Sequence, residues 1–525
     1  MSSRTKTEIE VPKSSLVSRF FGKIGGFFKG LGRKIANYFV PVGKALVHGD
    51  IYTKLSFLIS GFGYFFHGTS QEFITYELGT DENGHPESLP VKTRRYVTQW
   101  LRGVFYLALE VLAVLALIFW GIPNFARLSL SDLQTCYIND DFEEICPPGG
   151  PDNSFLIVLF SVLTILILIF WFFIHLSSIK GVYKSEVEIK EGKPIRSAGQ
   201  DLKDLLDEKF YITVLAIPVL GILTFTLVPT VMMILIAFTN YGGKQAGVTV
   251  GSDAFTWVGF SNWGNLFSMG GGGNDFLTVF GSQLVWTLVW SFFATITCFF
   301  GGLLLALLLN AKRTRFTKVW RTGFVLTIAV PQFVSLMLIR YFLADNGIVN
   351  NLLVHQWHLI ESPIGFLSDP TIMKFTIIII NCWVGFPYLM LMISGILLNI
   401  PADLYESASI DGASKPKMFF SITMPYIMQV CTPYLISSFV SNINNFNVIY
   451  LLTADYSPVN SAYVNMNAKE SDLLITWLYH LIAEGAKHEY YTASIVGIIM
   501  FTISTIFTLI AFNISNRGDR EGRLQ

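Results

Sequence analysis

Two sets of uncharged polar residues lie inside long apolar runs. Asn381, Val384, Gly385 and Tyr388 fall at i, i+3, i+4 and i+7, and Ser438, Ser441, Asn442 and Asn445 repeat that spacing. On a helix each set forms one face. Polar faces in segments of membrane-spanning length are costly unless they meet protein or water. Amides and hydroxyls both donate and accept hydrogen bonds. The two faces therefore suit a neutral ligand rich in hydroxyl groups. Tyr388 and nearby Trp383 add aromatic surface for a ring, and Gly385 lets a ligand approach the backbone. The same residue types also serve as contacts between membrane helices, and spacing alone leaves both readings open. Pro387 and Pro433 are kinks or hinges within these runs.

No catalytic constellation accompanies these faces. The sequence has no G-x-x-x-x-G-K-[ST] phosphate loop, no H-E-x-x-H and no G-x-S-x-G. Gly270–Gly273 lacks the lysine of a phosphate loop and reads as a flexible loop. No Cys/His cluster has metal-ligand spacing. We expect no enzyme activity, metal or cofactor on this chain; if ATP drives it, ATP and Mg are bound and used on another subunit. With 37 basic and 37 acidic residues the net charge is zero, which argues against nucleic acid as a partner.

The elements that must position these faces are membrane helices. The chain has 525 residues of which 14% are charged, against about 25% in soluble domains, and a mean hydropathy of +0.51. Apolar runs of about 20 residues span a bilayer core. We place eight spans, near 104–122, 154–176, 211–238, 279–309, 322–343, 372–398, 425–452 and 491–514. The expected class is thus an all-α polytopic membrane protein. Residues 1–103 form a basic, interfacial N-terminal region, with an amphipathic stretch over 16–39 suited to anionic lipid. Residues 104–210 hold two spans and a charged linker, 211–514 the core, and 515–525 a charged tail. Residues 453–489 read as a polar connection.

Eight spans put both termini on one side. Lys180, Lys184, Lys190, Lys193, Arg196, Lys312, Arg313, Arg315, Lys415, Lys417 and the basic leader share that side. The opposite loops carry only Arg127, Lys244, Lys469 and Lys487. The bias places both termini, and the polar island between the sixth and seventh spans, in the cytoplasm. Cys136 and Cys146 then share an outer loop where a disulfide could persist; a pair of free thiols is the alternative. Cys298, Cys382 and Cys431 read as small hydrophobes. Glu110 and Arg340, near predicted span ends, read as structural ion pairs or snorkelling groups rather than as a proton relay.

The polar island is Asn399–Pro425. It reads as helix, turn, helix, with Gly412 free to take a positive φ and end the first helix, and Pro416 opening the second. Its Glu406-Ser407-Ala408, Gly412, Phe420 and Pro425 resemble the signature loop of ABC importer permeases, with serine for alanine at the second position. The resemblance widens to Asn381-Cys382-Trp383-Val384-Gly385-Phe386-Pro387-Tyr388 and Ser438–Phe446. These are similar to the maltose/maltodextrin permease subunit of the MalF type, over about residues 255–512.

That resemblance implies a type I ABC importer permease fold. It implies sugar contacts at Asn381, Val384, Gly385, Tyr388, Ser438, Ser441, Asn442 and Asn445. ATPase coupling falls to Tyr405, Glu406, Ser407, Ala408, Asp411 and Gly412. The partners it implies are a second, MalG-like permease, two ATPase subunits, an extracellular sugar-binding protein and membrane lipid. Ser441 stands where the enteric maltose subunit has a stacking aromatic residue. The loop 240–274 is too short for that subunit's outer domain, so the chain looks like the Gram-positive branch in a bacterial plasma membrane. The expected cargo is a neutral oligosaccharide, maltose or maltodextrin first and a galacto-oligosaccharide or raffinose-type sugar second. An ion-coupled secondary sugar carrier is the alternative from another class, but it leaves the signature loop unexplained.

Overall fold

A backbone crossing hydrocarbon must satisfy its hydrogen bonds within its own segment, so each long apolar run here becomes a helix. The computed structural model describes residues 30, 33, 36–37, 39–59, 64–65, 89–131, 133, 137–138, 144–145, 152–191, 203–204, 206–242, 254–268, 272–311, 313–484 and 489–522. Most of the basic leader, and Cys136 and Cys146, lie outside the described residues.

After α1 (Ile51–Leu55) comes α2 (Leu89–Ala116), which runs through a π turn at Leu117–Gly121 into α3 (Ile122–Ala126). Two-residue strands, β1 (Tyr137–Ile138) and β2 (Glu144–Ile145), pair antiparallel. Then follow α4 (Ser154–Lys190), α5 (Phe210–Ile222), a π turn at Leu223–Leu227, α6 (Val228–Ile236), α7 (Ser261–Leu266) and α8 (Gly272–Asn310). The chain continues through α9 (Thr317–Ala329), α10 (Gln332–Leu343), α11 (Ile348–Asn351) and α12 (Pro370–Leu398). Next are α13 (Ala402–Ile410), α14 (Lys415–Met418), a π turn at Phe419–Thr423 and α15 (Met424–Ile443). It closes with α16 (Phe446–Leu452), α17 (Ser461–Asn465), α18 (Leu474–Ala483) and α19 (Tyr490–Gly522).

Among the described residues, seven helices are long and apolar enough to cross a membrane, and a bent pair makes an eighth if counted as one span. The bent pair corrects the sequence reading of a continuous fifth span. α9 and the helix that starts at Gln332 meet at 94°. Pro331 explains the break: a residue before proline is driven from the α region, and Val330 is extended at φ −79°, ψ 129°. The seventh span is also shifted. It runs over Lys415–Ile443 and stops short of Leu452, because Asn444 ends α15 and Asn445 caps α16. Residues 453–489 are more than a polar connection, since they contain apolar α18 with Trp477 and Leu481 fully buried. Gly272 and Gly273, read as loop, already belong to α8.

Three π turns share a cause. Those ending at Gly121, Leu227 and Thr423 each stop two residues before a proline, Pro123, Pro229 and Pro425. A proline ring collides with the carbonyl four residues back and offers no N–H. A widened turn at that point moves the carbonyl aside without ending the helix.

The chain divides into two units, residues 1–128 with 156–229, and residues 129–155 with 230–525. In the first, Glu110 and His175 pair at 2.8 Å, and His175 Nε2 lies 2.8 Å from the Phe57 carbonyl. Nearby, Glu186 on α4 accepts the Asp50 N–H and the Thr53 hydroxyl, fixing α1 to α4. In the second unit α8 is the central helix, packed along α12 and against α15. One core gathers Phe299, Leu303, Met390, Ile393 and Ile427. Another gathers Trp286, Trp290, Met373, Ile377 and Ile449. A third holds Phe276, Trp477, Leu481 and Val496.

Candidate functional site

The two polar faces come to lie on α12 and α15, and Asn445 lies just beyond α15. Their members divide by what they touch. Asn381 is buried, with its Nδ2 3.5 Å from Cys298 Sγ on α8 and its carbonyl 3.6 Å from the same sulfur. A Cβ built on Gly385 would meet Cys298 Sγ at 2.5 Å. Gly385 therefore allows α8 and α12 to approach closely. Asn442 Nδ2 donates to Thr295 Oγ1 on α8 at 3.1 Å, while its carbonyl accepts the Trp290 indole N–H at 3.2 Å. Asn445 donates to Asn442 Oδ1 and caps α16 by accepting the Val448 N–H, each at 3.3 Å. Val384 is half-buried against the Trp286–Trp290 core.

The accessible members are different. Tyr388 is 51% and Trp383 48% exposed. Ser441 is exposed and Ser438 half-buried. Tyr388 packs beside Tyr434 of α15, ring centroids 5.7 Å apart, which joins the two helices by an aromatic pair. Tyr434 was missed from sequence, although it sits four residues before Ser438 and extends that face by one turn. Thr295, on α8, was also missed, since a lone threonine in an apolar run carries no signal. Tyr388 and Ser441 thus leave an aromatic ring and a hydroxyl accessible, and the residues of the two faces include no charged group.

The polar island folds as a compact projecting element. Pro401 is the N-cap of α13, one position before the helix proper. At the other end Gly412 adopts φ +78°, the left-handed conformation that glycine takes without a Cβ penalty. The Gly412 N–H donates to the Ser409 carbonyl at 3.1 Å, and the Ala413 N–H to the Ala408 carbonyl at 2.9 Å. This pair of bonds is a Schellman motif, which uses up carbonyls left open at a helix end. Pro416 sits in the first turn of α14, as expected. Tyr405 ties α13 to the π turn at Phe419–Thr423 through a 2.8 Å hydrogen bond between its hydroxyl and Thr423 Oγ1. Glu406, Ser407, Asp411 and Gly412 are exposed and Ala408 is half-buried. Leu404, Ile410 and Phe420 are also exposed on this element, Ile410 at 86%. This element thus displays apolar side chains beside small and acidic ones.

Arg340, Glu110 and His480, outside the two faces, make ion pairs. Arg340 meets Asp455 at 3.0 Å, and Glu110 meets His175 as described above. His480 on α18 lies 3.3 Å from Asp472 and 2.6 Å from Glu484. Burial disfavours its charged form, but the contact with Asp472 and then the charge of Glu484 hold its pKa above the usual histidine value. No group of three or more metal-ligating side chains occurs among the described residues.

Residues 298–519 match the family described as "Binding-protein-dependent transport system inner membrane component". The match contains both polar faces and the island between them. Over that stretch the chain is similar to the membrane-spanning components of binding-protein-dependent transport systems, and its long apolar helices fit a subunit that crosses the membrane many times. Among the relatives the chain resembles are permease proteins of maltodextrin and galactooligosaccharide transport systems. It is 29% identical over 434 residues to the maltodextrin transport system permease protein MalC of Streptococcus pneumoniae, covering 81% of this chain and 94% of that one. It is 28% identical over 411 residues to the galactooligosaccharides transport system permease protein GanP of Bacillus subtilis, covering 78% and 92%. A solved bacterial ABC transporter involved in import of the acidic polysaccharide alginate aligns at 24% identity with a TM-score of 0.48, over 61% of this chain and 99% of that one.

Proposed function

We propose that this permease carries a neutral oligosaccharide inward, with maltodextrin the first cargo and a galacto-oligosaccharide the second. It would work with a second permease, two ATPase subunits and an extracellular binding protein, its termini and polar island in the cytoplasm. The observation that carries this reading is the α13–α14 element: a rigid, Schellman-capped knob with exposed Glu406, Ser407, Ile410 and Gly412. It is joined directly to α12 and α15, the two helices that bear the polar faces. A partner ATPase that grips the knob would move both faces together, and the work would be done by differential contacts in the two states. The cargo should be neutral because the faces hold no cation for a carboxylate and no carboxylate for an amine. An unpaired charge in such a site is heavily penalised. The similarity to both MalC and GanP favours these two sugar classes over others.

The test is sugar-stimulated ATPase activity of the purified complex on a panel of oligosaccharides, with Gly412→Pro beside wild type. Wild type should respond to maltodextrins or galacto-oligosaccharides. The variant, which removes the N–H donated to Ser409 and forbids φ +78°, should assemble yet lose the response. An undiminished response in Gly412→Pro would refute the coupling role.

A further inference from the structure

A cavity opens between α8 and α12, lined by none of the residues of the two polar faces. It has a volume of about 670 Å³ and is lined by Val289, Phe293, Lys374, Phe375, Ile378 and Ile379 among others. Phe375 and Ile379 are 66% and 69% exposed, so the groove opens sideways from two spanning helices. Its character is apolar except at one end. There Lys374 lies over the Trp286 ring, its ammonium 5.1 Å from the centroid.

Lys374 is the one cation between Pro370 and Leu398. Among the described residues no carboxylate lies within ion-pair distance of it, and its ammonium makes no hydrogen bond. Glu470 reaches the same cavity, but its oxygens are engaged elsewhere. Oε2 accepts the Tyr456 hydroxyl at 2.9 Å, and Oε1 accepts the Val459 and Asn460 N–H groups at 3.1 Å each. The Glu470 charge acts on the Lys374 ammonium only through space, and a partly desolvated ammonium with three donors and no hydrogen-bonded partner leaves room for an anion. The groove leading from it lacks an apolar filler.

We propose that this groove is a binding site for an anionic phospholipid, with the phosphate at Lys374 and an acyl chain along Val289, Phe293, Phe375 and Ile379. The site rests on the chain being a membrane protein and does not depend on the cargo. One molecule supplies both missing parts, because charge and hydrocarbon are joined in the lipid. Lys374 lies four residues after Pro370, which opens the spanning helix α12, so its ammonium sits near a helix end, at the depth of a headgroup. A sugar fits less well, because the Trp286 face is occupied by Lys374 and its indole N–H already donates to the Ser471 carbonyl at 3.0 Å.

The experiment is native mass spectrometry of the complete transporter, purified with its partner subunits after exposure to phosphatidylglycerol or phosphatidylcholine. Wild type should retain one more phosphatidylglycerol than Lys374→Gln, and phosphatidylcholine should not replace it. Lys374→Arg should keep the lipid, and Ile379→Trp, which fills the groove without touching the charge, should lose it. Equal phosphatidylglycerol on wild type and Lys374→Gln would overturn the site. So would its absence from wild type, as expected if a partner helix covers the groove. Protection of a Thr371→Cys thiol by oligosaccharide but not by phosphatidylglycerol would overturn it in favour of sugar.

Discussion

Tyr388 and Asn442 belong to the same pair of polar faces but do different work. Asn442 spends its amide on Thr295 and its carbonyl on Trp290, so it joins α15 to α8. Tyr388 spends half its surface on no described neighbour. In the proposed site, Tyr388→Ala should raise the sugar concentration for half-maximal ATPase stimulation about tenfold, equivalent to ~1.4 kcal/mol, while the lost ring pair with Tyr434 should cost about 1 kcal/mol of stability. Asn442→Ala should cost about 1 kcal/mol of stability through the lost hydrogen bond. It should weaken sugar response only as far as the two helices loosen. Ser441→Phe should change the order of preferred sugars. Dose–response curves and melting temperatures of the three variants measure this. Equal loss of sugar response in all three, at unchanged stability, would contradict the division. Sequence spacing brought seven of the eight residues to two helix faces, Asn445 instead capping α16 past the break at Asn444, and did not tell ligand-facing from helix-facing members. That difference depends on α8, roughly a hundred residues away along the chain, whose Cys298 and Thr295 have no local mark.

Individual elements show the same split between local and distant causes. The α13–α14 turn was readable because glycine after Asp411 and proline at 416 are local signals. Pro331 was visible in the sequence as well, yet its effect was not. Proline in a spanning helix is tolerated as a kink when neighbours satisfy the freed groups, and only tertiary packing selects the 94° break seen here. The helix α18 was hidden for another reason. It is ten residues long, too short to stand out as a span, and polar residues flank it. Its packing is reinforced by His480 between Asp472 and Glu484. Because the folded His480 pKa is raised above the unfolded value of about 6.5, its stabilisation is complete below that pH. It is lost as the pH climbs through the folded pKa. Thermal melts of the complex should therefore show a stability advantage at pH 6 over pH 8 that His480→Gln removes. A variant melting profile with the same pH dependence as wild type would exclude this histidine as its source.

For the molecule as a whole, the design separates three tasks. Uncharged faces on α12 and α15 would meet the cargo, the α13–α14 knob would receive force, and α8 holds the two face-bearing helices in place. The permease reading is supported by the match over residues 298–519 and the similarity along most of the chain to MalC. The class was legible from sequence because Glu406-Ser407-Ala408, Gly412, Phe420 and Pro425 keep their offsets. The cargo was less legible, since a neutral hydroxyl-rich face suits many sugars alike. The most direct test of the central claim is uptake. Proteoliposomes holding the complete complex, loaded with ATP and given binding protein and labelled maltodextrin or galacto-oligosaccharide outside, should accumulate one of these sugars above its external concentration. Accumulation should stop without internal ATP and persist when ion gradients are collapsed. Uptake that follows an ion gradient and ignores ATP would contradict the account.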